Sequence, residues 1–312
     1  MATHSITAPE PRYPRHAPAK STWETRLVIA ILLIFGLAMS SILVFAIHSS
    51  ANVPAEITAT TIHVAPNQPP PYPVGIADAA EPSRVAPPRT STLAGFRLAY
   101  TQDFAGATLP SGWVDFTGVP GGDPAGQFAA SHVVVDKGLL QLNTWRDPAY
   151  ANKWASGGLC QCGLSYTYGA FFVRSRITGK GPNEVELLWP SDNQWPPEID
   201  FNETGNQVHS TSFTVHFGTP QTGPFQELLK SVKMTDWHTW GVIWTPDKIT
   251  FTVDGKPWGY FTDKAAIPHI PMTLDLEQRP GCSRGPVCTT QAQSLQVDWV
   301  AEYAPLPGST AG

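Results

Sequence analysis

An all-β sandwich is the fold this sequence predicts, and three observations predict it. Proline (31 residues), glycine (26) and tryptophan (11) are abundant while methionine is scarce (4). That bias opposes helices, because Pro and Gly break them whereas aromatic residues favour strands. Beyond about Ser91 the chain becomes a series of short alternating runs separated by Gly, Pro and Asp turns. No segment keeps a helical period of 3.6 over about twelve residues. Strands at such regular spacing imply a jelly-roll sandwich of two antiparallel sheets, about 210 residues in size. A chain of 312 residues accommodates one such domain plus appendages.

The appendages come first. Residues 1–26 carry Arg12, Arg15, Lys20 and Arg26 and are expected in the cytoplasm. Residues 27–47 form an uncharged run broken only by Gly36, Ser40 and Ser41, which matches the ~20 residues that cross a hydrocarbon core. No Lys or Arg follows until Arg84, so the positive-inside rule predicts a single-pass, type II transmembrane signal anchor with everything beyond it outside the cytoplasm. Small residues at Ser49 and Ala51 leave a secreted form after signal cleavage as the alternative, although the run exceeds the ~7 to 15 apolar residues of a signal peptide. Residues 48–92 read as a Pro-rich extracytoplasmic linker, since nine prolines and no apolar periodicity mark 52–92 as a semi-extended tether. The sandwich domain is expected over 93–305 and a C-terminal tail over 306–312.

Within the domain, strands are predicted at Val133–Val135 with Leu139–Asn143, and then at Phe171–Ile177, Ser212–Phe217, Thr239–Trp244, Ile249–Val253 and Leu295–Val300. Two hairpins are explicit. Asp136-Lys137-Gly138 joins one pair, and Asp254-Gly255 supplies the turn between Ile249–Val253 and the Pro257-Trp-Gly-Tyr-Phe run.

Only 14% of residues are charged and the net charge is −5, so the basic surplus that phosphate binding needs is missing and nucleic acid is not an expected partner. A monomer is expected. Cys160, Cys162, Cys282 and Cys288 lie in the exported part, where oxidation is the rule, and no His spacing nearby suggests zinc. Three connectivities are open. Extended residues two apart sit near the ~7 Å Cα limit of a disulfide, which favours cross-links between the loop at 160 and the loop at 282.

The chemistry concentrates in Trp195-Pro-Pro-Glu198-Ile199-Asp200-Phe201-Asn202-Glu203. On a strand Glu198 and Asp200 share one face, while Ile199 and Phe201 share the other and can anchor in a core. Glu203 would then fall on the core face, an expensive place for a charge, unless one extra residue at Phe201-Asn202 bulges and returns it to the acidic face. Three clustered carboxylates cannot all ionise freely, so at least one should keep its proton toward neutral pH. From spacing alone a structural calcium site or a solvated strand stays open beside a catalytic pair. Trp195, Trp154 and Trp145 are candidate sugar-stacking platforms, whereas Trp240 and Trp244, inside an alternating strand, are expected in the core. Glu184 and Glu186 read as a solvated strand face, with added acidity in a cleft as the other reading.

The Glu198-x-Asp200-x-x-Glu203 run resembles the signature of glycoside hydrolase family 16, in the bulged form of its laminarinase-like members. The likeness continues through Tyr168-Gly169, Phe172-Val173-Arg174, Trp189-Pro190, His238-Thr-Trp-Gly-Val-Ile-Trp-Thr-Pro-Asp247 and Val297-Asp-Trp-Val-Ala-Glu-Tyr303. It departs at Glu184–Pro190, which stands in place of the family's aromatic-rich strand. The resemblance implies a concanavalin A-like fold and a retaining, endo-acting glycosidase of a β-linked, β-glucan-like polysaccharide. Glu198 would be the nucleophile, Asp200 its assisting carboxylate and Glu203 the acid/base. Trp189 and His216 would join the substrate contacts, with His216 hydrogen-bonding substrate or Glu203, or else serving as a structural histidine. Catalysis would need no cofactor. A structural calcium is implied at Asp298, with Asp103 as its partner. A transglycosylase and a non-catalytic carbohydrate-binding module of the same fold remain the alternative functions.

Overall fold

The computed structural model describes residues 71–91, 93–281, 290–309 and 311. The expected membrane span at 27–47, the first part of the linker, and Cys282 and Cys288 lie outside them. Among the described residues no helix is long and apolar enough to cross a membrane.

The described chain is built of β1 (Ile76–Ala77), β2 (Val85–Ala86), β3 (Phe96–Gln102), β4 (Val114–Asp115), β5 (Gly126–Phe128), β6 (Val133–Asp136), β7 (Leu139–Asp147), β8 (Lys153–Ser156), β9 (Gly158–Cys160) and β10 (Gly169–Ile177). It continues through β11 (Asn183–Pro190), β12 (Glu198–Glu203), β13 (Ser210–His216), β14 (Phe225–Lys230), β15 (His238–Trp244), β16 (Ile249–Val253), β17 (Lys256–Phe261), β18 (Met272–Arg279) and β19 (Gln293–Pro305). Two sheets stack, as the alternation predicts. The outer one runs β17-β16-β15-β10-β19-β7-β8-β5, with β3 beside β19 and β6 beside β7, and the inner one runs β14-β13-β12-β11-β18-β9-β4. Both explicit hairpins form: Asp136 pairs with Leu139, and Val253 with Lys256.

The main core lies between the sheets. Ile199 and Phe201 of β12 are fully buried there with Phe213, Trp240, Trp244 and Phe251, and Phe213 stacks on Phe251 with centroids 3.8 Å apart. A second core covers the opposite face of the outer sheet, where Phe172, Trp299 and Tyr303 meet Leu93, Phe96, Tyr72 and Val85. This overturns the domain boundary at residue 93. Tyr72 to Ala86 is a strap: its β1-β2 hairpin packs on the outer sheet, Trp299 Nε1 donates to Val85 O at 2.9 Å, and the Ser83 amide donates to Asp298 at 3.0 Å. The expected tail packs as well, since the Leu306 amide donates to Gly95 O and Ala311 joins the second core. Proline content suggested a solvated tether, but an apolar outer face supplies the burial that the segment lacks by itself. The run Ala170-Phe171-Phe172-Val173 in β10, buried at every position, is the sequence trace of that double cover.

Cys160 and Cys162 are disulfide-bonded to each other, a correction to the expected cross-link with the loop at 282. Their Cα atoms are 5.1 Å apart because β9 ends at Cys160 and the chain turns, so the extended spacing does not apply.

Candidate active site

Strand β12 runs through the middle of the inner sheet, between β11 and β13. Its pairing contains the bulge that the charge argument requires. Against β11, Leu187 faces Asp200 but Glu186 faces Asn202, so Phe201 has no opposite number. Against β13, Thr214 faces Asp200 and Ser212 faces Glu203, leaving two residues across from one. Glu198, Asp200 and Glu203 therefore line the open face of the sheet, while Ile199 and Phe201 stay in the core.

Each acid has its own supports. Trp195 Nε1 donates to Glu198 Oε2 at 2.6 Å, and its ring lies 5.5 Å from that of His216. His216 Nε2 is 3.4 Å from Asp200 Oδ2 and 4.0 Å from Glu198 Oε2, so the imidazole bridges these two acids rather than reaching Glu203. Asp200 and Glu198, two apart on the open face, act on one another as neighbouring carboxyls. Glu203 accepts from Asn183 Nδ2 at 3.0 Å and Thr214 Oγ1 at 3.2 Å. Burial pushes the Glu198 carboxyl well above its usual range and Asp200 adds to the push, while His216, Arg279 and Trp195 pull it down. Asp200 is likewise raised, by burial first and then by Glu203. Glu198, Asp200 and His216 each bring a possible ligand atom within 4.8 Å of one another.

A row of charges on β18 completes the floor. In register across β11, Asp275 faces Leu187, Glu277 faces Val185 and Arg279 faces Asn183, so all three point to the same open face as the acids. Arg279 Nε lies 3.0 Å from Glu277 Oε2, and Arg279 Nη2 donates to Gly121 O at 2.7 Å. The alternation Asp275-Leu-Glu277-Gln-Arg279 was the available signal for this row, which sequence reasoning missed along with Asn183 and Thr214. A polar cavity of about 350 Å³ opens beside Glu203, Asn183 and Arg279. A mostly apolar recess of about 500 Å³ lies beyond the other end of β12, beside Pro196, Pro197 and Phe217. Hollows at both ends of one acidic strand suit an extended polymer.

The remaining expectations divide. Trp189 shares the open face with Leu187 and is half-buried, its Nε1 bonded to Asn193 at 3.0 Å. Trp195 serves Glu198 directly, as above. Trp145 and Trp154 are not brought to the acids: they sit on β7 and β8 of the outer sheet, Trp145 stacked on His132 at 3.6 Å and Trp154 beneath the Arg146 guanidinium at 5.0 Å. Glu184 and Glu186 are fully buried between the sheets, neither solvated nor in the cleft.

Asp298 and Asp103 bring together no calcium ligand set among the described side chains. Buried Asp298 has one orphaned oxygen, Oδ1, but its Oδ2 accepts the Ser83 amide and the Arg174 guanidinium acts on it as a cation. The Asp103 carboxylate accepts from its own turn, at the Ala105 amide. Among the described residues no trio of acidic or imidazole ligands gathers there, whereas calcium takes six to eight oxygens.

The family model described as Glycosyl hydrolases family 16 matches residues 125–301. Among curated proteins, the endo-1,3-1,4-beta-glycanase ExsH of Rhizobium meliloti is 37% identical over 148 residues, covering 45% of this chain and 31% of that protein. The glucan endo-1,3-beta-glucosidase A1 of Niallia circulans is 28% identical over 268 residues, covering 70% of this chain and 39% of the relative. This chain thus spans 31% and 39% of the lengths of those two proteins. Among solved structures, the laminarinase of Rhodothermus marinus superposes with a TM-score of 0.60 at 21% identity, over 68% of this chain and 98% of its own. The endo-beta-1,3-glucanase of Pyrococcus furiosus gives 0.59 at 21% identity, over 71% and 100%. At these identities the structural likeness is one of fold.

Proposed function

The chain belongs to glycosyl hydrolase family 16, and from that premise we propose that it is a retaining, endo-acting glycosidase of a β-1,3- or β-1,4-linked glucan-like polysaccharide. The observation that carries the reading is the bulge, which returns Glu203 to the face of Glu198 and Asp200. Glu198 attacks the anomeric carbon as Glu203 delivers a proton to the leaving oxygen, giving a covalent glycosyl intermediate. Glu203 then takes a proton from water, whose oxygen displaces Glu198 with net retention. Asp200, beside Glu198 on the open face and sharing His216 with it, steadies the nucleophile. Trp195, His216 and Arg279 oppose the burial that would otherwise keep Glu198 protonated and unreactive. The activities of the relatives support the linkage class, and hollows at both ends of the acidic strand support attack within a chain.

We infer further that the domain works outside the cytoplasm, held by the 27–47 segment. The Lys/Arg asymmetry around that segment supports this orientation, and the paired Cys160 and Cys162 suit an oxidising compartment.

The test is to incubate the full-length protein, purified in detergent, with laminarin, lichenan and a panel of other β-linked polysaccharides, following the first products by proton NMR. Internal cleavage with the β anomer appearing first is expected. An α anomer appearing first, or no cleavage of any β-glucan, overturns the reading.

A further inference from the structure

Behind the acidic face, on the core side of the same two strands, lies a second pair of carboxyl groups that the mechanism does not use. Glu184 and Glu186 of β11 are both fully buried. Asn202 Nδ2 donates to Glu184 Oε1 at 2.8 Å, and Ser175 Oγ, from the outer sheet, donates to Glu186 Oε1 at 2.5 Å. The other oxygen of each, Oε2, meets no donor, while the two side chains lie within hydrogen-bonding reach of one another. Two carboxyl groups meeting this way away from water hold together only with a proton between them. The elements packed against the pair offer neutral groups alone: Asn202 from β12 and Thr204 just beyond it, Gln278 and Leu276 from β18, and Ser175 from β10.

From this pair a continuous line of hydrogen bonds leads to the bulge. Asn202 Oδ1 accepts from Thr211 Oγ1 at 2.6 Å, and Thr211 Oγ1 accepts the Glu203 amide at 2.9 Å. The Glu184 amide also donates to Thr204 Oγ1 at 3.0 Å, and the Thr204 amide to Glu184 O at 3.1 Å. The C-terminal side of the bulge, from Asn202 to Thr204, is thereby fastened to groups in the core. We propose that Glu184 and Glu186 share a proton inside the sandwich and, through Asn202 and Thr211, act as positioning residues that hold Glu203 at its angle to the cleft. The proposal rests on the reading of Glu203 as the acid.

Burial raises both carboxyls, Glu184 to about 8, so the shared proton is lost as the solution becomes alkaline and the pair then destabilises the fold. Glu184→Gln and Glu186→Gln keep the shape and the accepting oxygen but remove the titration. Each variant should melt as the parent does below about pH 4.5, where the carboxyls are protonated in the folded and unfolded chain alike, and lose less melting temperature between pH 4.5 and pH 9. Superimposable melting curves across that range would overturn the shared proton.

The link to Glu203 is tested with Thr211→Val on two substrates, whichever glucan of the panel is cleaved and the dinitrophenyl glycoside of its disaccharide, whose leaving group needs no acid. The Val variant should lose at least about tenfold in kcat on the glucan with little change in KM, and stay within about threefold on the activated glycoside. Thr211→Ser should recover the loss. Parental behaviour on both substrates, or equal loss on both, overturns the positioning role. If Thr211→Val does not fold, the two Gln variants decide, because the alkaline loss of activity on the glucan should be shallower in them than in the parent. Glu203→Gln is the control: parental activity on the glucan would defeat the acid assignment itself, whereas an acid-deficient Glu203→Gln beside a parental Thr211→Val defeats only the inference.

Discussion

Strand β12 carries its acidic residues on the open face and β11 carries its own on the core face, and the two clusters live under opposite rules. On the open face Glu198, Asp200 and Glu203, with Asp275 and Glu277 beside them, meet His216 at 3.4 Å and the Arg279 guanidinium, which is itself bound to Glu277 at 3.0 Å. On the core face Glu184 and Glu186 meet only neutral donors, Asn202 and Ser175. The same residue type thus serves as chargeable chemistry where cations and a cleft are at hand, and as a proton-bound crosslink where they are not. The difference teaches that the role of a carboxylate here is set by which side of the pleat it leaves from and what the neighbouring strand presents there.

The largest way to break this comparison is to neutralise the open cluster. Glu198→Gln or Glu203→Gln should each remove at least about three orders of magnitude of turnover while the fold persists, because covalent and acid/base catalysis lose their essential group. Retention of more than about a tenth of parental kcat by either would mean that the open cluster is not the catalytic one.

A smaller effect should follow from removing the cation that distinguishes the two faces. Arg279 pulls the pKa values of Glu198 and Asp200 down, so Arg279→Met should raise the acidic limb of the kcat/KM profile by about one pH unit and lower the rate near neutrality by about tenfold. Ser175→Ala, its counterpart on the sealed face, should lower the melting temperature and leave that limb in place. A limb that moves equally in both variants would erase the distinction.

Next comes the pH dependence of stability. Glu302, another sealed carboxyl without a partner for one oxygen, is pushed by burial from 4.5 up to about 8. The folded chain therefore holds protons that the unfolded chain releases, and the associated stability is complete below about pH 4.5 and drains away as the pH rises to about 8. Melting temperature should fall across that window, and Glu302→Gln should recover about 3 °C at pH 9. A melting temperature that climbs between pH 5 and pH 8 would reverse the sign and refute the assignment of sealed, protonated carboxyls.

The smallest effect is expected far from both clusters. Trp145, stacked on His132 in the outer sheet, should be replaceable by Ala with kcat/KM held within about twofold and about 1 kcal/mol of stability lost with the stack. A large loss of substrate affinity would extend the binding surface to β7 and β8.

Period-two alternation made the strands around Phe171, Thr239 and Ile249 legible, together with the placement of Glu198 and Asp200 on one face, because these depend on residues close together in the chain. The cost of a buried charge made the bulge at Phe201-Asn202 legible too. The same alternation misled at β11, where Glu184 and Glu186 looked like surface. In the structure Leu187 faces Asp200 and the pleat is inverted. A strand's own sequence gives its period but not its phase. Phase is set by register against partners distant in sequence, here β12 and β18, and a slip of one residue exchanges the faces. For the same reason the β18 row at Asp275, Glu277 and Arg279 gained its meaning only beside β11. So did the strap from Tyr72 to Ala86, whose prolines and polar residues offer no core of their own and become ordered because Phe172, Trp299 and Tyr303 present an apolar face to cover. By itself the sequence determined the fold class and the strand that carries the acidic cluster. Tertiary structure decided which side of each strand faces the cleft and where the domain begins, because both depend on burial shared between segments that the chain order keeps apart.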